Sequence, residues 1–93
     1  MFGWIITKDN ISDGKDKGIS GPRGITAETR TALNDRHPAS ERFRMLDDDG
    51  EIYYYGRSIG GTGFEPLDHF GSPNAGCTAI EYYDDNIGRW VIL

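Results

Sequence analysis

The sequence predicts an α+β domain: a small, mainly antiparallel sheet of about five strands, made of two hairpins and an N-terminal strand, with one or two short helices. Three observations predict it. Residues 42–57 hold two aromatic-rich alternating runs on either side of Asp49-Gly50, the pattern of a β-hairpin. Residues 78–83 and 89–93 repeat that layout around a turn at 84–88. Thirteen glycines in 93 residues favour many turns and leave little room for long helix. A small β-barrel or roll is the alternative arrangement of the same strands.

Taken in order, residues 2–7 read as a strand, with Phe2, Trp4 and Ile6 on one side and Gly3, Ile5 and Thr7 on the other. Residues 8–24 hold neither a period of 2 nor one of 3.6, so they predict a long loop, either mobile or in contact with something. Residues 26–36 are the best helix candidate. Thr26 suits the N-cap, Glu28 the first turn and Arg36 the end, and Pro38 forbids continuation. Only Ile25, Leu33 and the alanines can face a core, so the helix is thin.

In the central hairpin the turn is centred on Asp49-Gly50 or widened to 47–50. Either choice puts Phe43, Met45, Ile52 and Tyr54 on one face, and Arg42, Arg44, Tyr53 and Tyr55 on the other. A three-residue loop with a bulge would alter that parity. Residues 58–63 read as a glycine-rich connector. Residues 64–71 read as one helical turn, with Pro66 at its start and Gly71 as its stop, placing Phe64, Leu67 and Phe70 together. Residues 72–76 read as a turn, and the second hairpin ends the sequence.

The chain fits one domain, residues 1–93, with a single small core. Five Tyr, four Phe and two Trp exclude a disordered composition. The single cysteine, Cys77, cannot form an internal disulfide. No apolar run reaches the length of a membrane span, and the first residues lack the basic and apolar regions of a signal peptide. A cytoplasmic location is the resulting expectation. Fifteen acidic against ten basic side chains give a net charge of −5. That balance disfavours direct nucleic-acid binding and favours a protein partner with a basic surface.

Catalytic and cofactor motifs are weak. Asp47-Asp48-Asp49-Gly50-Glu51 invites a calcium reading. Aligning Gly50 with the sixth position of an EF-hand loop, however, puts Met45 first and Gly56 last, and the pattern fails at both ends. Asp13-Gly14 fails likewise, with Ile11 and Ser20 at ligand positions. Residues 56–63 lack the Lys-Ser/Thr of a phosphate-binding loop and the spacing of a dinucleotide fingerprint. Asp68, His69 and Cys77 are the only grouping resembling a nucleophile with a base. Two histidines and one cysteine are too few for a zinc site. The expectation is a non-enzyme with no metal and no cofactor.

What remains is surface. Arg42 and Arg44 opposite Tyr53 and Tyr55 form either a self-supporting outer face or a binding patch, unless the 26–36 helix covers them. The acidic turns Asp47, Asp48, Asp49 and Glu51, and Asp84 and Asp85, repel themselves until something positive docks. The resulting expectation is a protein–protein interaction module that occupies a basic surface. In size, acidity and lack of motifs the chain resembles the small inhibitors that phages and mobile elements encode against bacterial defence, such as anti-CRISPR proteins. That resemblance implies inhibition of a nucleic-acid-binding defence complex. Two alternatives stand beside it: a small ligand-binding or enzyme-accessory domain with a pocket near 64–70 and Cys77, and a homodimeric structural protein using an open sheet edge.

Overall fold

Alternating apolar residues build the sheet that the structure, a computed structural model describing residues 1–93, displays. The strands are β1 (Gly3–Asp9), β2 (Ser20–Gly21), β3 (Glu41–Leu46), β4 (Ile52–Ile59), β5 (Ala79–Asp84) and β6 (Arg89–Ile92). The helices are α1 (Ala27–Asn34) and α2 (Ser72–Ala75), the latter entered through a π-helical turn, Leu67–Gly71. All six strands join one antiparallel sheet in the order β2-β1-β4-β3-β5-β6. This is the expected α+β class. The sixth strand is the two-residue β2, found within the stretch expected to be loop.

Period-2 alternation gives the sheet two unlike faces. One face gathers Trp4, Ile6, Phe43, Met45, Tyr54, Ile80 and Tyr82 into a continuous core. Residues 67–77 cover it, with Leu67, Phe70 and Cys77 buried against those side chains. On the opposite face α1 buries Leu33 against Ile5 and Ile59, with Ile25 and Ala32 at the margin. The helix is as thin as its sequence predicts and covers only the β1–β4 end. It is capped as expected: the Thr26 hydroxyl accepts from the Thr29 amide at 3.1 Å.

The central hairpin departs from the simple parity in an instructive way. Its loop has three residues, 48–50, closed by Asp47 N–H to Glu51 O at 3.0 Å and by Gly50 N–H to Asp47 O at 3.1 Å. Gly50 sits at φ 80°, a left-handed position that glycine reaches at little cost. A three-residue loop slips the register, and a second irregularity cancels the slip: Leu46 pairs with Ile52 but Met45 pairs with Tyr54, leaving Tyr53 as the extra residue. From Met45 onward the predicted pairing therefore holds. At the bulge it does not. Tyr53 turns to the covered face and packs against the core, away from Arg42, Arg44 and Tyr55, while Ile52 lies outside that core cluster.

Two loops are more ordered than their composition predicts. The Asp9 carboxylate gathers the 10–18 segment, accepting from the amides of Ile11 at 2.9 Å, Ser12 at 3.0 Å and Asp16 at 3.0 Å, and from the Ser12 hydroxyl. Burial alone would raise the Asp9 pKa, but these donors outweigh it and hold the carboxyl down at about 2. The predicted connector at 58–63 begins inside β4, where the Ser58 hydroxyl is buried and donates to Gly61 O at 2.7 Å. The expected stop at Gly71 is instead a junction between two helical turns. The stop is Gly76, at φ 75°, and Phe64 is exposed rather than part of the plug.

Candidate functional site

The half-sheet that α1 leaves bare carries the site. Cross-strand pairing places Arg44 opposite both Tyr55 and Glu81, Arg42 opposite Arg57, and Tyr83 opposite Trp90. These side chains interlock across four strands. The Arg42 guanidinium lies 4.0 Å from the Tyr83 ring centre, and that of Arg44 4.5 Å from Trp90. Trp90 meets Tyr83 edge-on at 5.3 Å and reaches Tyr55 at 6.1 Å. Arg44 is neutralised by Glu81, with Nε donating to Oε1 at 2.6 Å. Sequence reasoning named Arg42, Arg44 and Tyr55, and the structure joins them. It missed Tyr83 and Trp90, which belong to the other hairpin; only the β3–β5 pairing brings the two outer faces together.

Between this ladder and the C-terminal end of α1 lies a cleft of about 510 Å³. Its walls include Lys8, Lys17, Arg36, Arg42 and Arg57, with Tyr55 and Trp90. Of the ten Lys and Arg residues in the chain, five line this cleft; of the fifteen Asp and Glu, none does. The crowding is felt at Arg57. Burial first, and then the positive charges of Arg36 and Arg42, push its guanidinium below the usual range, with Asp85 offsetting part of the effect. Arg57 Nη1 donates to the Ser40 hydroxyl at 3.0 Å.

Arg36 occupies an unusual position. Helix α1 ends in a Schellman arrangement, with His37 N–H to Ala32 O at 2.9 Å and Arg36 N–H to Leu33 O at 3.2 Å. The residue between these bonds must be left-handed, and glycine is the usual choice. Here it is Arg36, at φ 55°. A side chain in that conformation costs about 1–2 kcal/mol.

The acidic turns behave differently. They stand at opposite ends of the sheet, since β3 and β5 run antiparallel and place Leu46 beside Ala79 but Phe43 beside Tyr82. Asp47 is a turn former: its carboxylate accepts from the amides of Glu51 at 2.8 Å and Asp49 at 3.0 Å. Chiefly the Glu51 amide, and then the Tyr53 hydroxyl, hold it below the ordinary carboxylate range, and the same contact raises Tyr53. Asp84 likewise accepts from the Asn86 amide at 2.8 Å. Asp48, Asp49, Glu51 and Asp85 are exposed, and none of them forms an ion pair. Asp84 and Asp85 also border a groove of about 580 Å³ with Glu41, Val91 and Leu93, which no Lys or Arg lines.

No nucleophile stands ready where the sequence offered one. Cys77 is buried in the core, and burial pushes its thiol up to about 11, while Asp68 and His69 are exposed. Neither the 510 Å³ cleft nor the 580 Å³ groove is lined by residues 64–70 or Cys77, and Gly71 packs closely there: a Cβ added to it would lie 2.6 Å from the Met45 sulfur. Every buried side-chain nitrogen and oxygen has a hydrogen-bond partner, and no three His, Cys, Asp or Glu side chains converge. No helix is long and apolar enough to cross a membrane. No family model, curated protein or solved structure matches the chain.

Proposed function

We propose that the protein is a non-enzymatic binding module and that the bare arginine–aromatic half-sheet is its working surface, engaging a partner that presents anionic groups. One observation carries this reading: half of the chain's cations line one cleft from which every carboxylate is excluded. The whole-chain charge of −5 argued for a basic partner, but that argument treats charge as evenly spread. Local field, not net charge, steers a ligand to a concave surface. Arginine and aromatic side chains are also the types that dominate binding energy at interfaces.

A chain of this net charge is retained by a phosphocellulose resin at neutral pH only through a segregated positive surface. Retention at low salt is the expected outcome, with elution moving to lower salt in Arg42→Ala and Arg57→Ala and not in Asp48→Asn. Flow-through of the unaltered protein, or loss of retention in Asp48→Asn, would refute the assignment.

A second reading rests on the groove lined by Glu41, Asp84 and Asp85. There the chain would occupy a basic surface on another protein, the mode of action that an inhibitor of a nucleic-acid-binding complex requires. The apolar edge beside it, with Ile92 65% exposed on the terminal strand β6, also gives a homodimer a place to form. Binding to a poly-lysine surface that is lost in Asp84→Asn with Asp85→Asn would favour this reading over the first.

A further inference from the structure

Resting on the first reading of the surface, we propose that the cleft between α1 and the aromatic ladder takes a nucleoside phosphate, free or as a unit of a single strand, its phosphate held by Arg36, Arg42 and Arg57 and its base against Tyr55 or Trp90. Five cations line one volume with no carboxylate in its walls and repel one another, with only Asp85 offsetting part of this at Arg57, until an anion enters. A single carboxylate brings one negative charge and leaves most of that repulsion in place. Phosphate esters bring more charge and several acceptor oxygens, and they match the forked donors of arginine, which supplies three of the five cations.

The wall opposite the cations selects within phosphates. Half-buried Tyr55 and Trp90 line a space of about 510 Å³, within the roughly 300–1,000 Å³ range of small-ligand clefts, with Arg44 over the Trp90 ring and Lys8 over the Tyr55 ring. Stacking on an aromatic side chain is how proteins hold bases without reading their edges. The third argument is Arg36. A position that glycine fills more stably holds a cation that lines the cleft. Strain kept at a binding surface fits a role there.

The test compares three probes at low salt: a fluorescein-labelled oligothymidylate of about twelve units, ATP, and tripolyphosphate, which has the charge and no base. Binding of all three is expected, tripolyphosphate the weakest, with the labelled strand weakening as salt rises at a log–log slope of about −0.7 per phosphate contacted. Because Arg42 also lies over Trp90 at 5.8 Å, Trp90→Ala should weaken the labelled strand or ATP by about 5-fold or more beyond whatever loss tripolyphosphate shows. Arg36→Gly should weaken all bound probes by several-fold while raising the melting temperature, so a folding defect cannot account for the loss. Binding of the strand but not ATP assigns the site to single strands; ATP alone assigns it to free nucleotides.

Tripolyphosphate binding as tightly as either base-bearing probe, or base-bearing probes binding without regard to Arg36 and Trp90, would overturn the proposal. Retention on phosphocellulose with no nucleotide binding would overturn this inference and leave the anionic-partner reading standing. Absence of both removes both.

Discussion

The two faces of the sheet come from the same strands and differ in nearly every physical respect. The covered face is apolar, sealed by residues 67–77, and uses its tyrosines as buried rings with satisfied hydroxyls. Tyr54 donates to Asp16 at 2.8 Å and Tyr82 to Gly63 O at 2.7 Å, and burial, with Asp16 for Tyr54, pushes both up to about 12. The bare half of the other face uses Tyr83 and Trp90 as supports for guanidinium groups, and Tyr55 lies beneath the Lys8 ammonium. The buried core lies on the first face, and the recognition proposed above lies on the second. That division follows from α1, whose single fully buried leucine covers one end and stops.

Substitutions can break this comparison. Phe43→Ala should cost about 3–5 kcal/mol in urea unfolding, because the ring is wholly buried against Tyr82 and Gly56. Tyr83→Ala, on the bare half, should cost under about 1 kcal/mol, the worth of an exposed cation–π contact. Equal costs would show that the bare half is structural. Leu33→Ala should cost about 2–4 kcal/mol, since it removes the anchor of α1. Loss of the α1 signal with the sheet retained would sharpen the view of the helix as a separable cover.

A smaller effect belongs to acid. Because the folded pKa of Asp9, about 2, lies below its ordinary 3.8, this carboxylate stabilises the fold fully above pH 3.8. The contribution fades as pH falls through about 2. Hydrogen exchange across residues 10–18 should therefore accelerate between those values in the parent and show no such step in Asp9→Asn. Smallest of all, Arg36→Gly should raise stability by about 0.5–1 kcal/mol, the relief of a left-handed side chain less the added freedom of glycine in the unfolded chain. A loss of stability would mean that Arg36 is held there by folding contacts rather than kept for binding.

Much of the architecture is legible in the residues. The hairpins, the capped helix and the outward placement of Arg42, Arg44 and Tyr55 follow from alternation, the Asp49-Gly50 and 84–88 turns and Thr26. The departures have local causes. Three loop residues after Asp47 shift the register, and a bulge restores it, so parity fails only at Ile52 and Tyr53. The ordered 10–18 segment escapes notice because one carboxylate, not a periodic pattern, organises it. The cleft was not readable at all. Lys8, Arg36 and Trp90 are distant in sequence, and strand order, which composition does not specify, decides that they meet.

Trp4 and Trp90 allow the two faces to be compared within a single spectrum. Trp4 is buried in the core with its indole N–H directed at Glu65 at 3.4 Å, whereas Trp90 lines the cleft. Titrating isotope-labelled protein with tripolyphosphate while recording amide and indole N–H resonances tests the bare face directly. The account predicts that the Trp90 indole and the amides of Lys8, Tyr55 and Arg57 move together, while Trp4 and the amides of Asp49 and Glu51 stay still. Shifts confined to the 48–51 turn, equal movement of both indoles, or no movement at low salt would contradict it.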